Sequence, residues 1–434
     1  MTTPPLRPYL LPEFLPAAFP RWALVRQRLD GAEIADVRAA VETALEPVIA
    51  DVRPGTRVCL TAGSRGIDRI AEVLRAIADR VRAAGGVPFI VPAMGSHGGA
   101  TAEGQLAVLA GFGITPEAMG CDIRASMEVV DLGEVEPGVP VYLDRHAFEG
   151  ADLIVPVNRV KPHTDFSGPT ESGLLKMIAI GLGKQRGADV FHRQGYARFP
   201  DLIPAVAHHS ITHAPIRFGL ALVENAHARL MRVEAVPAGA IEAREHELLA
   251  MARAAMGRLP LGAFDVLVVD EIGKDVSGVG MDPNVVGRGH TGPRPEGPAI
   301  QRIVVRGLTA ATEGNANGIG YADVVLRRAV DAMDHRTTHM NTVTAKTPEG
   351  SRIPVTVDSD REALALAIAM CVRVEAPTAH VLRIRSTKHL ERLYVSEAAL
   401  DGVLATGRCE LLRPPREIAF DDAGMFADPE PDWA

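Results

Sequence analysis

The stretch TRVCLTAGSRGIDRIAEVLRAIADRVRAAGGVPFIV, residues 56–91, decides the fold of this chain. Residues 56–60 have the apolar character of a buried strand. In residues 67–84, apolar side chains recur at i, i+3, i+4 and i+7, which predicts a helix that ends at a Gly-Gly pair. Residues 87–91 are again typical of a strand. A strand, a helix and a second strand in this order predict a parallel sheet covered by helices.

The same alternation continues along the chain. Apolar and amphipathic runs predict strands at 153–157, 264–270, 301–306 and 380–384, and helices at 101–111, 241–256, 321–333 and 361–371. The segment GRLP at 257–260 has the character of a linker. We therefore predict an α/β fold of two α/β domains, 1–257 and 258–434, with mainly parallel sheets and an active-site cleft between the domains. Residues 1–30 are proline-rich and predict an extended arm.

Composition excludes several classes of protein. The net charge of −8 over 434 residues argues against a general nucleic-acid binder. No apolar run approaches the roughly 20 residues of a membrane span, and the N-terminus does not resemble a signal peptide. The four cysteines lie far apart and form no CxxC pair, which is typical of a reducing compartment; they are Cys59, Cys121, Cys371 and Cys409. We expect a cytoplasmic protein.

Polar residues follow the predicted strands. Arg65 comes after the first strand, His97 after the second and His163 after the strand at 153–157, while Arg288 lies in a glycine-rich loop after the strand at 264–270. Open parallel sheets bind ligands at the carboxyl ends of their strands, where such loops converge. The sequence therefore predicts a ligand site at this edge.

The turn GSHGG at 95–99 joins a strand to a helix. Its glycines allow the backbone to approach a phosphate, and the following helix N-terminus favours an anion. This would give Gly95, Ser96 and Gly98 a binding role. The same residues also make an ordinary tight turn with a surface histidine, and this segment alone does not decide between the two.

The segment PHTDFSGPTESGLLKMIAIGLGKQRGADVFH, residues 162–192, carries the densest set of reactive groups. Lys176 stands among apolar residues, so its amine either reaches solvent at a helix edge or is desolvated and nucleophilic. Asp165 either orients the imidazole of His163 or caps a turn. His192 follows Lys176 by sixteen residues, which on one straight helix is a rotation of about 160°. The two side chains converge only if glycines between them break the helix.

Taken together, residues 55–200 resemble the nickel-dependent lactate racemase family. His97 and His163 match the two catalytic histidines of that family. Lys176 matches the lysine that forms a thioamide with the cofactor, and His192 matches the histidine that binds the metal. Arg65 matches the arginine that holds the substrate carboxylate.

The resemblance implies a nickel-pincer nucleotide, the mononucleotide of pyridinium-3-thioamide-5-thiocarboxylic acid, made by separate cofactor-synthesis enzymes. Its phosphate would suit the GSHGG turn. The implied activity is that of an isomerase, a 2-hydroxyacid racemase or epimerase that transfers a hydride to and from the cofactor. His97 and His163 would alternate as acid and base, and Arg288 would supply a second cation for the substrate.

The chain also departs from the lactate enzymes. An acidic residue usually precedes the substrate arginine, but here the chain reads Ala62-Gly63-Ser64. The lysine follows PTESGLL instead of a shorter glycine-rich turn. These differences indicate a different 2-hydroxy acid. Two alternatives stay open: a mononuclear metal hydrolase that uses His97, His163 and His192, which leaves the lysine unexplained, and a non-catalytic binding relative.

Overall fold

We describe a computed structural model of the chain over residues 14–16, 18–29, 31–64, 66–289, 292–293 and 297–427. The chain divides into two compact units, with breaks between Leu29 and Asp30 and between Met256 and Gly257. We call Asp30–Met256 the central unit, and we call the described residues on either side of it together the terminal unit.

Both units combine helices with sheets. The strands are β1 (Trp22–Gln27), β2 (Arg57–Ala62), β3 (Val87–Pro92), β4 (Val129–Glu136), β5 (Val139–Asp144), β6 (Leu153–Val155), β7 (Val157–Arg159), β8 (Phe218–Glu224), β9 (Leu230–Pro237), β10 (Ala263–Val269), β11 (Arg288–Gly289), β12 (Gly292–Pro293), β13 (Ala299–Val305), β14 (Val324–Leu326), β15 (Val355–Val357), β16 (Val381–Ile384), β17 (Arg392–Ser396) and β18 (Cys409–Arg416). The helices are α1 (Val37–Leu45), α2 (Ile70–Ala83), α3 (Ala102–Gly111), α4 (Pro116–Met119), α5 (Arg145–Gly150), α6 (Leu174–Lys176), α7 (Lys184–Gln194), α8 (Phe199–His213), α9 (Ile241–Ala255), α10 (Pro283–Val286), α11 (Arg327–Asp331), α12 (His335–Ala345), α13 (Asp360–Ala369) and α14 (Glu397–Ala405).

The central unit contains a parallel sheet in the order β3-β2-β6 and a second sheet in the order β7-β8-β9. In the second sheet β7 and β8 are parallel, whereas β8 and β9 are antiparallel. The strands β4 and β5 form an antiparallel hairpin. Aliphatic side chains fill the layers between sheets and helices, as the scarcity of aromatic residues predicts; Leu60, Leu74 and Ile90 are among the fully buried ones.

The terminal unit is built on one sheet in the order β15-β14-β13-β10-β16-β17-β1-β18. In this sheet the first five strands, β15, β14, β13, β10 and β16, are parallel. The last three strands each pair antiparallel with the strand before them: β17 with β16, β1 with β17, and β18 with β1. The predicted α/β class, with mainly parallel sheets, is therefore the class of the fold.

The N-terminal segment departs from the prediction of an extended arm. Residues 22–27 form β1, which pairs with β17 and β18 in the terminal unit. Trp22 is buried and stacks on Tyr394 with ring centroids 4.7 Å apart. Burial of this apolar strand explains why it joins the sheet. Of the rest of the expected arm, residues 1–13, 17 and 30 lie outside the described residues.

The helix predicted at 321–333 is wrong in its first half. Residues 324–326 form β14, a wholly buried strand, and only Arg327–Asp331 is helical as α11. Two consecutive valines favour a strand because branching at Cβ restricts their side chains in a helix. The long apolar run at 153–157 is also divided, into β6 and β7.

Two further features bear on the sequence predictions. No helix within the described residues is long and apolar enough to cross a membrane. All four cysteines lie in the described part of the chain, and none is in a disulfide.

Candidate active site

Two of the predicted site residues, His163 and Lys176, are in direct contact. His163 Nε2 lies 2.6 Å from Lys176 Nζ, and both side chains are partly buried. His163 belongs to the loop between β7 and α6, while Lys176 is the last residue of α6. Two residues that are thirteen positions apart in the sequence thus present an imidazole and an amine to each other.

The backbone around His163 is held by a buried carboxylate. Lys161 and Ser172 exchange backbone hydrogen bonds of 3.0 and 3.3 Å, which closes residues 161–172 into a loop that we call the His163 loop. Glu171 accepts hydrogen bonds from the backbone N–H of His163 at 2.5 Å and of Gly168 at 3.0 Å. Arg253 of α9 forms an ion pair with the same carboxylate. The loop is therefore fixed from inside.

The ring of His163 is fixed as well. It stacks on Phe166 with ring centroids 4.3 Å apart. Its Nδ1 accepts a hydrogen bond of 3.0 Å from the backbone N–H of Asp165. The carboxylate of Asp165 is 3.6 Å from Nδ1, too far for a good hydrogen bond, and it accepts one from the hydroxyl of Thr164 at 3.0 Å. Asp165 thus orients the imidazole through its backbone.

The short helix that carries Lys176 begins against Glu245 of α9. This carboxylate, only 2% exposed, accepts hydrogen bonds from the backbone N–H of Leu174 and of Leu175, the latter at 3.1 Å. Gly173 is required here, because a Cβ would lie 2.2 Å from the Glu245 carboxyl carbon. Burial raises the pKa of Glu245 to about 7, against the opposing effect of the two N–H groups.

The helix break that convergence requires is present. After α6, Met177–Gly181 form a π-helical turn. Lys184, the first residue of α7, then has a left-handed φ of 54°. The ring of His192 on α7 then packs against Phe199, with centroids 5.9 Å apart. Phe199 also contacts Phe166, which stacks on His163. His163 and His192 therefore border the same aromatic cluster, formed by Phe166, Phe191, Tyr196 and Phe199.

The segment also contains a second lysine that sequence analysis passed over. Lys184 is 0% exposed, and its Nζ lies 2.9 Å from Asp144, 3.1 Å from Gln105 Oε1 and 2.5 Å from the carbonyl oxygen of Pro92. An amine paired in this way is structural. In the sequence Lys184 stands between Gly183 and Gln185 and has fewer apolar neighbours than Lys176, so the pattern does not indicate that Lys184 is the buried one.

The GSHGG turn places His97 at the surface, hydrogen-bonded through Nδ1 to Ser64 in the loop after β2. Gly98, at a φ of 69°, packs so closely on α3 that a Cβ would lie 2.6 Å from the backbone of Gly104. This glycine thus serves the turn itself. The N–H of Gly95 donates to the carbonyl of Gly181 at 3.2 Å, which joins the turn to the segment just after Lys176.

The two predicted substrate arginines stand differently. Arg65 lies outside the described residues. Arg288 belongs to the terminal unit, where its guanidinium is 2.6 Å from Asp323 and donates to the carbonyls of Tyr321, Ile300 and Gln301 at 3.1–3.2 Å. These contacts hold three backbone segments together, and the expectation that Arg288 binds substrate gains no support from them.

The described residues contain no group of three or more His, Cys, Asp or Glu side chains arranged to hold a metal ion. Zinc hydrolases need three or four converging protein ligands. A mononuclear hydrolase site made of His97, His163 and His192 is therefore not favoured by any arrangement in this part of the chain.

No protein-family model matches the chain, and no curated protein matches it. Among solved structures, the chain is similar to the lactate racemase apoprotein from Thermoanaerobacterium thermosaccharolyticum, with 15% sequence identity and a TM-score of 0.49. The match covers 88% of this chain and 96% of that chain. At this identity and TM-score, the likeness assigns neither an activity nor a residue role to this chain.

Proposed function

We propose that this protein is a 2-hydroxyacid racemase or epimerase that carries a nickel-pincer nucleotide on Lys176. The observation that carries the proposal is the contact of 2.6 Å between Lys176 Nζ and His163 Nε2. The sequence resemblance gives these two residues separate roles, one in attachment and one in acid–base catalysis. Both roles require the two side chains to lie near the substrate and the cofactor, and the contact shows that they are neighbours.

The residues present fit such a cofactor. Attachment requires an amine that a large group can reach, and Lys176 is only partly buried, whereas Lys184 is fully buried and paired with Asp144. His192 follows the helix break and is partly buried beside Tyr196 and Phe199. A neutral imidazole is a normal nickel ligand.

When bound, the nucleotide supplies the acceptor for the hydrogen on the substrate carbon. The chain supplies the proton chemistry. His163 would take up and release a proton at Nε2, the ring nitrogen that faces Lys176 Nζ. His97, oriented by Ser64, would do the same for the opposite enantiomer. Each enantiomer needs its own base, and a guanidinium such as that of Arg65 is suited to the substrate carboxylate.

Mass spectrometry tests the attachment. The protein is produced together with cofactor-synthesis enzymes and analysed by intact mass and for nickel and sulfur. We expect a covalent adduct on the wild type that is absent from Lys176→Ala. Lys346→Ala, a change of an exposed lysine in the terminal unit, is the matched control and should keep the adduct. An unmodified wild type under these conditions, or an adduct on another lysine, would contradict the proposal.

Activity tests the roles of the histidines. A panel of chiral 2-hydroxy acids is followed by loss of optical activity. We expect His97→Ala and His163→Ala proteins that bear the adduct to lose racemisation by at least about 100-fold, the usual contribution of a general acid or base. Full activity in either variant would remove that histidine from the proposal. The substrate that racemises fastest would identify the acid.

A further inference from the structure

A buried polar network lies beneath the GSHGG turn. Gln105 on α3 and Lys184 at the start of α7 are both 0% exposed, and so is Asp144 at the end of β5. Polar side chains in a protein interior are bonded to one another, because a group without a partner there is unfavourable. Such bonds hold the segments that they join in one arrangement.

The direction of the Gln105 amide follows from its contact with Lys184. The Nζ of Lys184 donates to Gln105 Oε1 at 3.1 Å. The same amine donates to the carbonyl oxygen of Pro92 at 2.5 Å and forms an ion pair of 2.9 Å with Asp144, whose Oδ2 accepts no hydrogen bond within the described residues. An ammonium only donates hydrogen bonds, so the amide atom that faces it must be the oxygen. The –NH2 group of Gln105 is therefore directed away from the amine.

This –NH2 group binds the backbone of the GSHGG turn. Gln105 Nε2 donates to the carbonyl oxygen of Gly95 at 3.0 Å and, at a longer 3.3 Å, to that of His97. The turn lies directly on α3 here, since a Cβ on Gly98 would lie 2.6 Å from the backbone nitrogen of Gln105. One buried side chain thus holds the turn at its first residue and at the histidine.

Lys184 joins this arrangement to the segment that carries two predicted cofactor residues. It stands eight residues after Lys176 and eight before His192. Its φ of 54° is a left-handed conformation, which is unfavourable for a residue with a Cβ. A residue remains in such a conformation only where its surroundings hold it there. The three contacts of the Lys184 amine provide that hold.

We propose that Gln105 is a positioning residue for His97, and that Lys184 sets the direction of the Gln105 amide so that its donors face the turn. The inference rests on the proposed function, because His97 is one of the two proposed acid–base residues. Gln105 is buried beneath the turn and acts only through the position of the histidine. A displacement of about 1 Å in an active site can lower a rate by about 100-fold, so the support of the turn matters for racemisation.

Hydrogen exchange of the full-length chain, measured by peptide mass spectrometry, tests the inference. Gln105→Met keeps an unbranched side chain of similar length but removes both donors to the turn. We expect the backbone amides of residues 95–100 to exchange at least about tenfold faster than in the wild type, because opening the turn no longer breaks these hydrogen bonds. The N–H groups of His97 and Ala100, which both donate within this segment at 3.1 Å, report the opening.

Val41→Ala separates a local effect from a general loss of stability. Val41 is fully buried on α1, which packs against α2 and β9 in the same unit. Its truncation destabilises the folded state but leaves the hydrogen bonds of Gln105 in place, so the turn should exchange as in the wild type. Wild-type exchange of the turn in Gln105→Met, or equal acceleration of the turn in both variants, would overturn the inference.

Kinetics of the protein that bears the adduct provide a second measurement. Since Gln105 does not touch the substrate, Gln105→Met should lower kcat for racemisation at least about tenfold and change KM by less than about threefold. Gln185→Met, a change of an exposed glutamine on α7, should keep both wild-type constants. A wild-type kcat in Gln105→Met would overturn the inference. A wild type that takes up no adduct and racemises nothing would instead contradict the proposed function, and the exchange comparison would still decide whether Gln105 holds the turn.

Discussion

The carboxyl ends of the parallel strands carry polar or charged residues in both units, but the two sets differ in chemical type. In the terminal unit, Asp270 follows β10, Arg306 follows β13 and Arg383 lies in β16; Asp360 begins α13. All four are paired with one another. In the central unit, the loops after β2, β3 and β7 present Ser64, His97 and His163 instead. Charged groups at a sheet edge can therefore be paired with one another and need not bind a ligand.

The terminal cluster is closed on itself. Arg306 lies 2.6 Å from Asp360 and 2.9 Å from Asp270, and Arg383 lies 2.8 Å from Asp270. The guanidinium of Arg383 also stacks on Phe426, 4.7 Å from the ring centroid. Opposite charges, hydrogen bonds and an aromatic ring hold the cluster together, although Arg383 Nη1 has no hydrogen-bond partner within the described residues. The cluster is therefore a support of the sheet.

Asp270→Ala should have the largest effect on stability, because it takes from the buried Arg383 the carboxylate it pairs with and from Arg306 one of its two carboxylates. Removing one member of a buried ion pair costs about 3–5 kcal/mol, and we expect the upper end of this range. Urea denaturation followed by circular dichroism measures it. Glu397→Ala, which breaks the half-exposed pair with Arg21, is the control and should change little. Equal effects of the two variants would show that the cluster does not support the unit.

Lys176 and Lys184 of the central unit sharpen the comparison within a single segment. Lys184→Met should destabilise the protein by about 4 kcal/mol, since it leaves Asp144 buried and unpaired. Lys176→Met should change stability by less than about 1 kcal/mol, because Lys176 is partly buried and has no structural role in our account. Denaturation of the two variants side by side is the measurement. A larger loss for Lys176→Met would reverse the assignment of the lysines.

Glu245 should give the central unit a pH dependence of its own. Its pKa is about 7 in the fold, against the ordinary value of 4.5. Between these values the folded protein holds a proton that the unfolded chain has lost, so this contribution to stability is complete below about pH 4.5 and is lost as pH rises through 7. The loss is about 3 kcal/mol at pH 8.

Glu245→Gln removes the titration but can still accept both backbone N–H groups. The stability of this variant relative to the wild type should therefore increase between pH 5 and 8. Glu247→Gln, a change of an exposed residue on the same helix α9 that pairs with Arg244, is the matched control. Parallel pH profiles for the wild type and Glu245→Gln would mean that burial does not shift this carboxyl.

Local sequence patterns predicted much of the central fold. The helix at 67–84 is observed as α2, and the strands around it as β2 and β3. They could be predicted because their apolar patterns, and the Gly-Gly pair that ends the helix, lie within the segment itself. The helix predicted at 101–111 is observed as α3, and Thr101 caps it by accepting the N–H of Gly104 at 3.0 Å. Strand β1 was missed because its partners, β17 and β18, lie far away in the sequence.

The candidate site was predictable in its residue types and less so in its contacts. The order of His163, Lys176 and His192 was visible, and so was the need for a break between the last two. No local pattern indicated that Glu171 and Arg253 hold the His163 loop, since they come together only through the packing of α9. The same applies to Glu245, whose function depends on a helix that begins 71 residues earlier.

The smallest expected effect concerns Ser64, which bonds to Nδ1 of His97. His97 is exposed, so loss of this hydrogen bond in Ser64→Ala should cost about 1 kcal/mol or less. The sharper measurement is the nitrogen-15 NMR spectrum of the His97 ring. In the wild type the serine should select one tautomer, whereas the alanine variant should show a mixture of two. Ser64→Thr keeps a hydroxyl and should keep the wild-type spectrum. An unchanged spectrum in Ser64→Ala would leave His97 oriented by the GSHGG turn alone, and the central unit would then present one histidine fixed by its neighbours instead of two.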